Sequence, residues 1–304
     1  MQLQSPPRRA TLQNHVRCYL QFFRPRFMTV TPSIWLIGGT SESRELAQIL
    51  ALNHLPCTIS VTTESARSLY PSAPLLQVWV GQLEGDRLQD FLSSHQIIAI
   101  LDASHPYATT ISHLAIKAAH KYNLPYLRYE RQSINSSHFP QEKAIKNDKI
   151  LSLPSFEALI EGDYLAGERV LLTTGYRTLH LFQPGQERYH LYARVLPAVT
   201  SLEAALAAGF TPDRLIGIRP PISLELERAL WQHWQITLVV SKASGTPGGE
   251  LIKRQLATEL GVKLILIDRP ALAYPHQTDD LSAAIAFCRT QLCDRLGDTS
   301  LPQN

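Results

Sequence analysis

The chain of 304 residues carries little that would commit it to a metal, a membrane or a nucleic acid. Its four cysteines are Cys18, Cys57, Cys288 and Cys293; none forms a C-x-x-C pair, and no histidine cluster joins them at zinc-ligand spacing. No metal site is expected, and the thiols read as the reduced cysteines of a cytoplasmic protein. Apolar runs such as Leu264 to Ile267 are too short to cross a bilayer. Charge is sparse and nearly balanced, at 18% Asp, Glu, Lys and Arg with a net +3, and no basic stripe interleaved with aromatics is available to track phosphates along a nucleic acid. There is no Walker A loop, no G-x-S-x-G elbow, no H-E-x-x-H and no EF-hand pattern, which weakens NTPase, hydrolase and metalloenzyme readings. Acidic residues are absent from positions 1–31, which hold Arg8, Arg9, Arg17, Arg24 and Arg26. That stretch reads as a basic extension, or as a start placed too early with Met28 as the first residue, and it stays outside the fold argument.

From Pro32 onward, short apolar β-branched runs alternate with segments of helical period. Strands are expected at Ile34 to Gly38, Thr58 to Thr62, Leu76 to Val80, Ile97 to Asp102 and Pro125 to Tyr129, with helices at Ser41 to Asn53, Asp86 to Ser94 and Tyr107 to Tyr122. A polar stretch, Gln132 to Asp148, reads as a linker or mobile loop. The alternation then resumes, with strands at Arg169 to Thr173, Tyr189 to Val195, Leu215 to Ile218, Ile236 to Val240 and Lys263 to Ile267, and helices at Leu202 to Ala208, Leu224 to His233, Glu250 to Leu260 and Asp280 to Leu296. Strands that are apolar throughout and separated by helices imply a parallel sheet covered on both faces. The expected architecture is α/β: two Rossmann-like domains with mostly parallel sheets and a cleft between them. Residues 32–148 would bind a dinucleotide, and residues 149–304, including a final helix at about 280–296, would form the substrate side.

The sharpest local feature is Gly38-Gly39-Thr40-Ser41-Glu42-Ser43-Arg44, which follows a strand and opens a helix. Glycines there admit a phosphate close to the backbone, and the helix start favours negative charge. The competing reading is a tight turn with no ligand. At the end of the second strand stand Thr62, Thr63 and Arg67, which suit the 2′-phosphate of NADPH, while Glu64 favours NADH. Gly81 ends the third strand, where a cofactor would lie close. Asp102-Ala103-Ser104-His105-Pro106-Tyr107 follows the fourth. Either Ser104 or His105 caps the next helix there, or His105 and Tyr107 act on the substrate. Arg128, Arg131, Arg194, Arg219 and Lys242 recur on the cleft side, as solvated surface charges or as a grip for a substrate with many carboxylates. Thr174-Gly175 and the Gly-rich loop Ser241-Lys242-Ala243-Ser244-Gly245 add a second candidate anion site.

Five of these motifs, in order, resemble the precorrin-6A reductase family, including its cobalt-precorrin-6A branch. They are Gly38-Gly39-Thr40 with Glu42, Arg44, Glu45, Leu46 and Ala47; Asp102-Ala103-Ser104-His105-Pro106-Tyr107-Ala108; Tyr126-Leu127-Arg128-Tyr129-Glu130-Arg131; Thr173-Thr174-Gly175; and Ser241-Lys242 with Ser244, Gly245, Gly248, Gly249 and Lys253. One stretch departs from the family pattern, since Pro220-Pro221-Ile222-Ser223 stands where Gly-Pro-Phe-Ser is expected, so the loop must take another path. The resemblance implies NAD(P)H-dependent reduction of one double bond in an anionic tetrapyrrole during cobalamin synthesis, by a cytoplasmic enzyme that binds neither nucleic acid nor membrane and works beside other corrin-pathway enzymes. It also implies roles. Gly38, Gly39, Thr40, Ser41 and Glu42, with Thr62, Thr63, Arg67 and Gly81, would hold NADPH or NADH. Arg128, Arg131, Thr174, Gly175, Arg194, Lys242, Ser244 and Gly245 would meet the substrate, and His105 or Tyr107 would orient it or supply a proton. Two rivals remain open: an NADP-dependent reductase or epimerase of another small molecule, and a non-catalytic dinucleotide sensor.

Overall fold

Runs such as Ile34-Trp35-Leu36-Ile37 are apolar on both sides of the strand, so they are stable only between two layers of helices. The computed structural model describes residues 31–131 and 149–296 and shows this arrangement twice. The expectations for the basic extension and for the Gln132 to Asp148 linker fall on residues outside that range.

The first half runs β1 (Ser33–Ile37), α1 (Ser41–Leu52), β2 (Cys57–Val61), α2 (Glu64–Arg67), β3 (Leu76–Val80), α3 (Asp86–Ser94), β4 (Ile97–Asp102), α4 (Thr109–Tyr122) and β5 (Tyr126–Tyr129). The second runs β6 (Ile150–Leu153), α5 (Phe156–Glu161), β7 (Arg169–Leu172), a 3-10 segment (Tyr176–Gly185), β8 (His190–Val195), α6 (Val199–Ala207), β9 (Leu215–Gly217), α7 (Leu224–His233), β10 (Leu238–Lys242), α8 (Glu250–Leu260) and β11 (Lys263–Ile267). The chain closes with β12 (Gln277–Thr278) and α9 (Leu281–Leu296).

Each sheet has six strands, ordered β3-β2-β1-β4-β5-β12 and β9-β8-β7-β10-β11-β6. Every pairing in them is parallel. Both orders are the doubly wound pattern, with a switch point between β1 and β4 and another between β7 and β10. The halves exchange their sixth strands. After β5 the chain crosses to lay β6 beside β11, and after β11 it crosses back to lay β12 beside β5.

This exchange corrects the expectation that residues 280–296 complete the second half. Ala284, Ile285, Cys288 and Leu292 of α9 are buried with Leu46 and Leu50 of α1 against Leu36, Ile59 and Leu101 of the first sheet. The opposite face of that sheet is covered by Phe91 of α3 and Ala115 of α4. In the second half, Leu159 of α5, Phe182 and Ala205 cover one face, while Trp231 of α7 and Leu256 of α8 cover the other. No helix among the described residues is long and apolar enough to cross a membrane.

Candidate functional site

The exchange brings the two switch points face to face, so the site is assembled from strand ends of both sheets. On the first side, β1 delivers Gly38 and Gly39 to the turn before α1. A side chain at Gly38 would collide with the Tyr70 hydroxyl and come within 2.9 Å of Ile59 Cγ2. Gly39 takes φ of +102°, with nothing within 4 Å of where a Cβ would stand. Thr40 caps the helix: its hydroxyl accepts from Ser43 N–H at 3.0 Å and donates to the Ala103 carbonyl at 2.8 Å, tying the turn to the end of β4. Tyr70 was not legible as a site residue; its hydroxyl accepts from Gly39 N–H at 2.7 Å and meets Ser43 Oγ at 2.8 Å.

Thr62, Thr63 and Arg67 are exposed beyond the end of β2, and Arg67 pairs with Glu64 at 2.9 Å. At Gly81 a side chain would strike the Trp79 ring at 2.7 Å. Gly39 and the Thr62 and Thr63 hydroxyls leave an open ledge above β1 and β2, with a helix start at its inner edge. That is the chemistry a dinucleotide requires: close backbone approach, helix-end donors and ribose-level hydroxyls.

β4 delivers Asp102, which is completely buried. Its carboxylate accepts from Ser104 N–H at 3.0 Å, the Ser112 hydroxyl at 2.6 Å, the Tyr126 hydroxyl at 2.8 Å and Arg128 Nη1 at 2.9 Å. Arg128 is therefore not a surface grip. It lies within β5, opposite Asp102 in the register, is itself fully buried, and also gives Nη1 to Ser104 Oγ and Nε to Glu130. The capping reading of Ser104 and His105 fails too, because α4 starts later, after Ala108, with no side-chain cap.

His105 accepts the Tyr107 N–H on Nδ1 at 3.3 Å. Burial, reinforced by the Arg131 and Lys242 cations beside it, lowers its pKa to about 4. The ring is thus neutral at neutral pH, with Nε2 left as a donor. The Tyr107 hydroxyl donates to the Ile267 carbonyl and accepts from Ala243 N–H at 2.9 Å, so both its functions are spent bridging the halves. Burial raises its pKa, which further removes it from proton transfer.

Arg131 also bridges. Its Nη1 pairs with Glu42 at the start of α1, and its Nε donates to the Ser244 carbonyl at 2.8 Å. The Glu42 carboxylate is held below the usual carboxylate range, with burial opposing and the Arg131 cation, its own backbone N–H, and hydrogen bonds from Arg131 and Ser41 lowering it. Arg269, absent from the expected set, donates to the Ala243 carbonyl at 3.0 Å, to Glu130 at 2.9 Å and to the Arg131 carbonyl at 2.8 Å. Gly245 makes room for both guanidiniums: with φ of +75°, a Cβ there would stand 3.3 Å from Arg131 Nε and 3.6 Å from Arg269 Nη2. Beside them lies a pocket of about 480 Å³ lined by Glu130, Arg131, Arg269, Tyr274, Thr278 and Asp279, among others.

The second Gly-rich loop is filled from within. Glu250 accepts the Gly245 N–H at 2.9 Å, and the buried Lys253 donates to the Gly248 carbonyl at 2.9 Å. Arg194 is held by the buried Glu227, which also accepts from Trp231 Nε1 at 3.1 Å, so it is not poised for a ligand either. Thr174 is buried and receives the Thr178 hydroxyl at 2.9 Å; Gly175 turns at φ of +81° into the 3-10 segment. In the divergent loop, Arg219 is exposed, the Pro220–Pro221 peptide is cis, and Ser223 caps α7. Lys242 differs from the other cations. Its Nζ lies 4.9 Å from the Tyr107 ring centroid and 5.9 Å from that of Phe156, and burial with the nearby Arg177 cation lowers its pKa to about 8.

Residues 33–289 match the protein family described as Precorrin-6x reductase CbiJ/CobK. The chain is 44% identical over 263 residues to a cobalt-precorrin-6A reductase of Synechocystis sp., covering 86% of this chain and 97% of that one. It is 33% identical over 247 residues to a cobalt-precorrin-6A reductase of Priestia megaterium, covering 79% and 92%. A solved structure titled CobK precorrin-6A reductase superposes with a TM-score of 0.68 at 25% identity, covering 86% of this chain and 97% of that one.

Proposed function

Because the chain belongs to the precorrin-6x reductase family, we propose that it reduces one carbon–carbon double bond of cobalt-precorrin-6A, with NADPH as the preferred hydride source. Reduction in cobalamin biosynthesis follows from the family; the cobalt-bearing substrate and the choice of NADPH are the finer reading. The observation that carries it is the pair of facing switch points. One bears the open Gly39 ledge, the other bears Lys242, and His105 and Tyr107 lie between them. Placement is the main task of such a protein: the nicotinamide supplies the hydride, while the chain orients the macrocycle and keeps water out.

The preference for NADPH rests on Thr62, Thr63 and Arg67 at the end of β2, where Glu64 is already paired with Arg67. A 2′-phosphate would draw Arg67 from Glu64. For a substrate carboxylate, the cation near the second switch point with no ion pair among the described residues is Arg177, beside Lys242. The preference for the cobalt form rests on the two relatives named for it. The test follows NADPH absorbance anaerobically with precorrin-6A and with its cobalt form. Faster oxidation with the cobalt form supports the reading, and none with either substrate overturns it. Arg67→Ala should lower kcat/KM for NADPH by roughly tenfold and leave NADH unchanged, since loss of a charge-assisted contact at an exposed site costs about 1.5 kcal/mol.

A further inference from the structure

We propose that Lys242 is the acid that completes the reduction, giving a proton from Nζ to the substrate carbon adjacent to the one that receives hydride. This rests on the reductase reading above. Reducing a carbon–carbon double bond consumes one hydride and one proton. The hydride brings both electrons and forms the first new C–H bond, and the nicotinamide is oxidised. The π pair shifts to the neighbouring carbon and takes the Nζ proton to form the second C–H bond. Lysine is left as a neutral amine, which water reprotonates.

The groups lining the facing switch points narrow the donor by their own bonds. In the turn between β4 and α4, His105 is neutral above about pH 4 and already uses Nδ1 as an acceptor for the Tyr107 N–H. The Tyr107 proton is committed to the Ile267 carbonyl. Arg131 and Arg269 have their guanidiniums locked into carbonyls and carboxylates.

Lys242 ends β10, at the switch point of the second sheet, and so approaches the ligand from the side opposite the Gly39 ledge. Its ammonium rests on two aromatic faces, Tyr107 from the first half and Phe156 from α5, which stabilise a cation but accept no proton from it. The one other charge that perturbs it is Arg177, from the 3-10 segment. Burial and that cation leave the ammonium protonated at neutral pH yet ready to release its proton, the condition that favours a general acid.

The test compares wild type, K242R and K242A with both substrate forms between pH 6 and 9. K242R should bind substrate, measured by absorbance titration without nucleotide, about as tightly as wild type. Its kcat should fall roughly a hundredfold or more, the loss expected for a missing general acid. Wild-type kcat should fall as pH rises through about 8, and K242R should lack that limb. Ammonium ions should partly restore K242A, which a merely structural role would not allow. Independently of turnover, carbon-13 methylation of the lysines should show two resonances titrating near 8, from Lys242 and the buried Lys253, of which K242R lacks one. If wild type reduces substrate while K242R keeps its kcat, or if that resonance titrates near the ordinary 10.5, the assignment is overturned. Failure of wild type itself to reduce either substrate overturns the reductase reading.

Discussion

Replacing Arg128 separates two incompatible jobs for that residue. A strand-end arginine that grips a substrate carboxylate is solvated when no ligand is bound, so its removal weakens binding and spares stability. Arg128 is instead 1% exposed and pairs at 2.9 Å with a carboxylate that is 0% exposed. Breaking such a buried pair by deleting one partner costs about 3–5 kcal/mol, because the remaining charge stays buried without its counter-ion. Asp102 would keep Ser104 N–H and the Ser112 and Tyr126 hydroxyls, which soften the loss. The lower end, about 3 kcal/mol, is therefore expected for Arg128→Ala. For a protein of this size each kcal/mol moves the midpoint by about 2–4 °C, so Tm should drop by roughly 6–12 °C in thermal unfolding followed by circular dichroism. Adding Asp102→Asn should recover part of that loss, since the orphaned charge is then removed. A variant that melts like wild type while its substrate KM rises tenfold would refute this account and return Arg128 to the substrate.

Three further outcomes follow from the same geometry. Gly38→Ala places a methyl group against the Tyr70 hydroxyl and should cost about 1–3 kcal/mol together with dinucleotide affinity; an unchanged Tm and dissociation constant would mean the turn is slack. Tyr107→Phe removes one hydrogen bond in each direction between the halves, while Ala243 N–H keeps the Ile267 carbonyl at 2.9 Å, so unfolding should become only about 0.5–1.5 kcal/mol easier, and an equally stable but inactive variant would instead implicate the phenol in chemistry. The folded pKa of His105, about 4, lies below its ordinary 6.5, so the unfolded chain binds more protons between those values. Its contribution is present above 6.5 and lost as pH falls toward 4, and in pH-dependent unfolding curves His105→Gln should flatten that slope.

Strands β1 to β5 were legible because each is short, largely apolar and bounded by turn residues, as in Ile97 to Asp102. β6 escaped because it lies at a sheet edge with Leu151 and Ser152 exposed, and β12 because two residues carry no periodicity. The exchange of sixth strands had no local signal at all. The apolar residues of α9 say that part of it is buried, but not against which sheet.

The site was partly legible. The turn at Gly38 and the proximity of His105, Tyr107 and Lys242 follow from strand ends in a parallel sheet, whereas a charge inside a strand was misjudged. Arg128 sits within the apolar run Tyr126-Leu127-Arg128-Tyr129, and such a cation needs a carboxylate on a neighbouring strand; Asp102 supplied that signal. Arg269 was overlooked although Asp268-Arg269 repeats, at the end of β11, the acid–arginine step Glu130-Arg131 beyond β5. Both steps mark the points where the chain changes sheets.

The exchanged strands also govern the order in which the protein matures on the ribosome. A first domain ordinarily folds while the rest is still being made. Here the first half has no sixth strand until Gln277 and Thr278 emerge, and its core stays open on one face until Cys288 and Leu292 arrive. The half made first is thus finished last. A ribosome that stalls or a protease that trims near residue 276 should therefore damage the first half, far away in sequence, and leave all six strands of the second sheet in place.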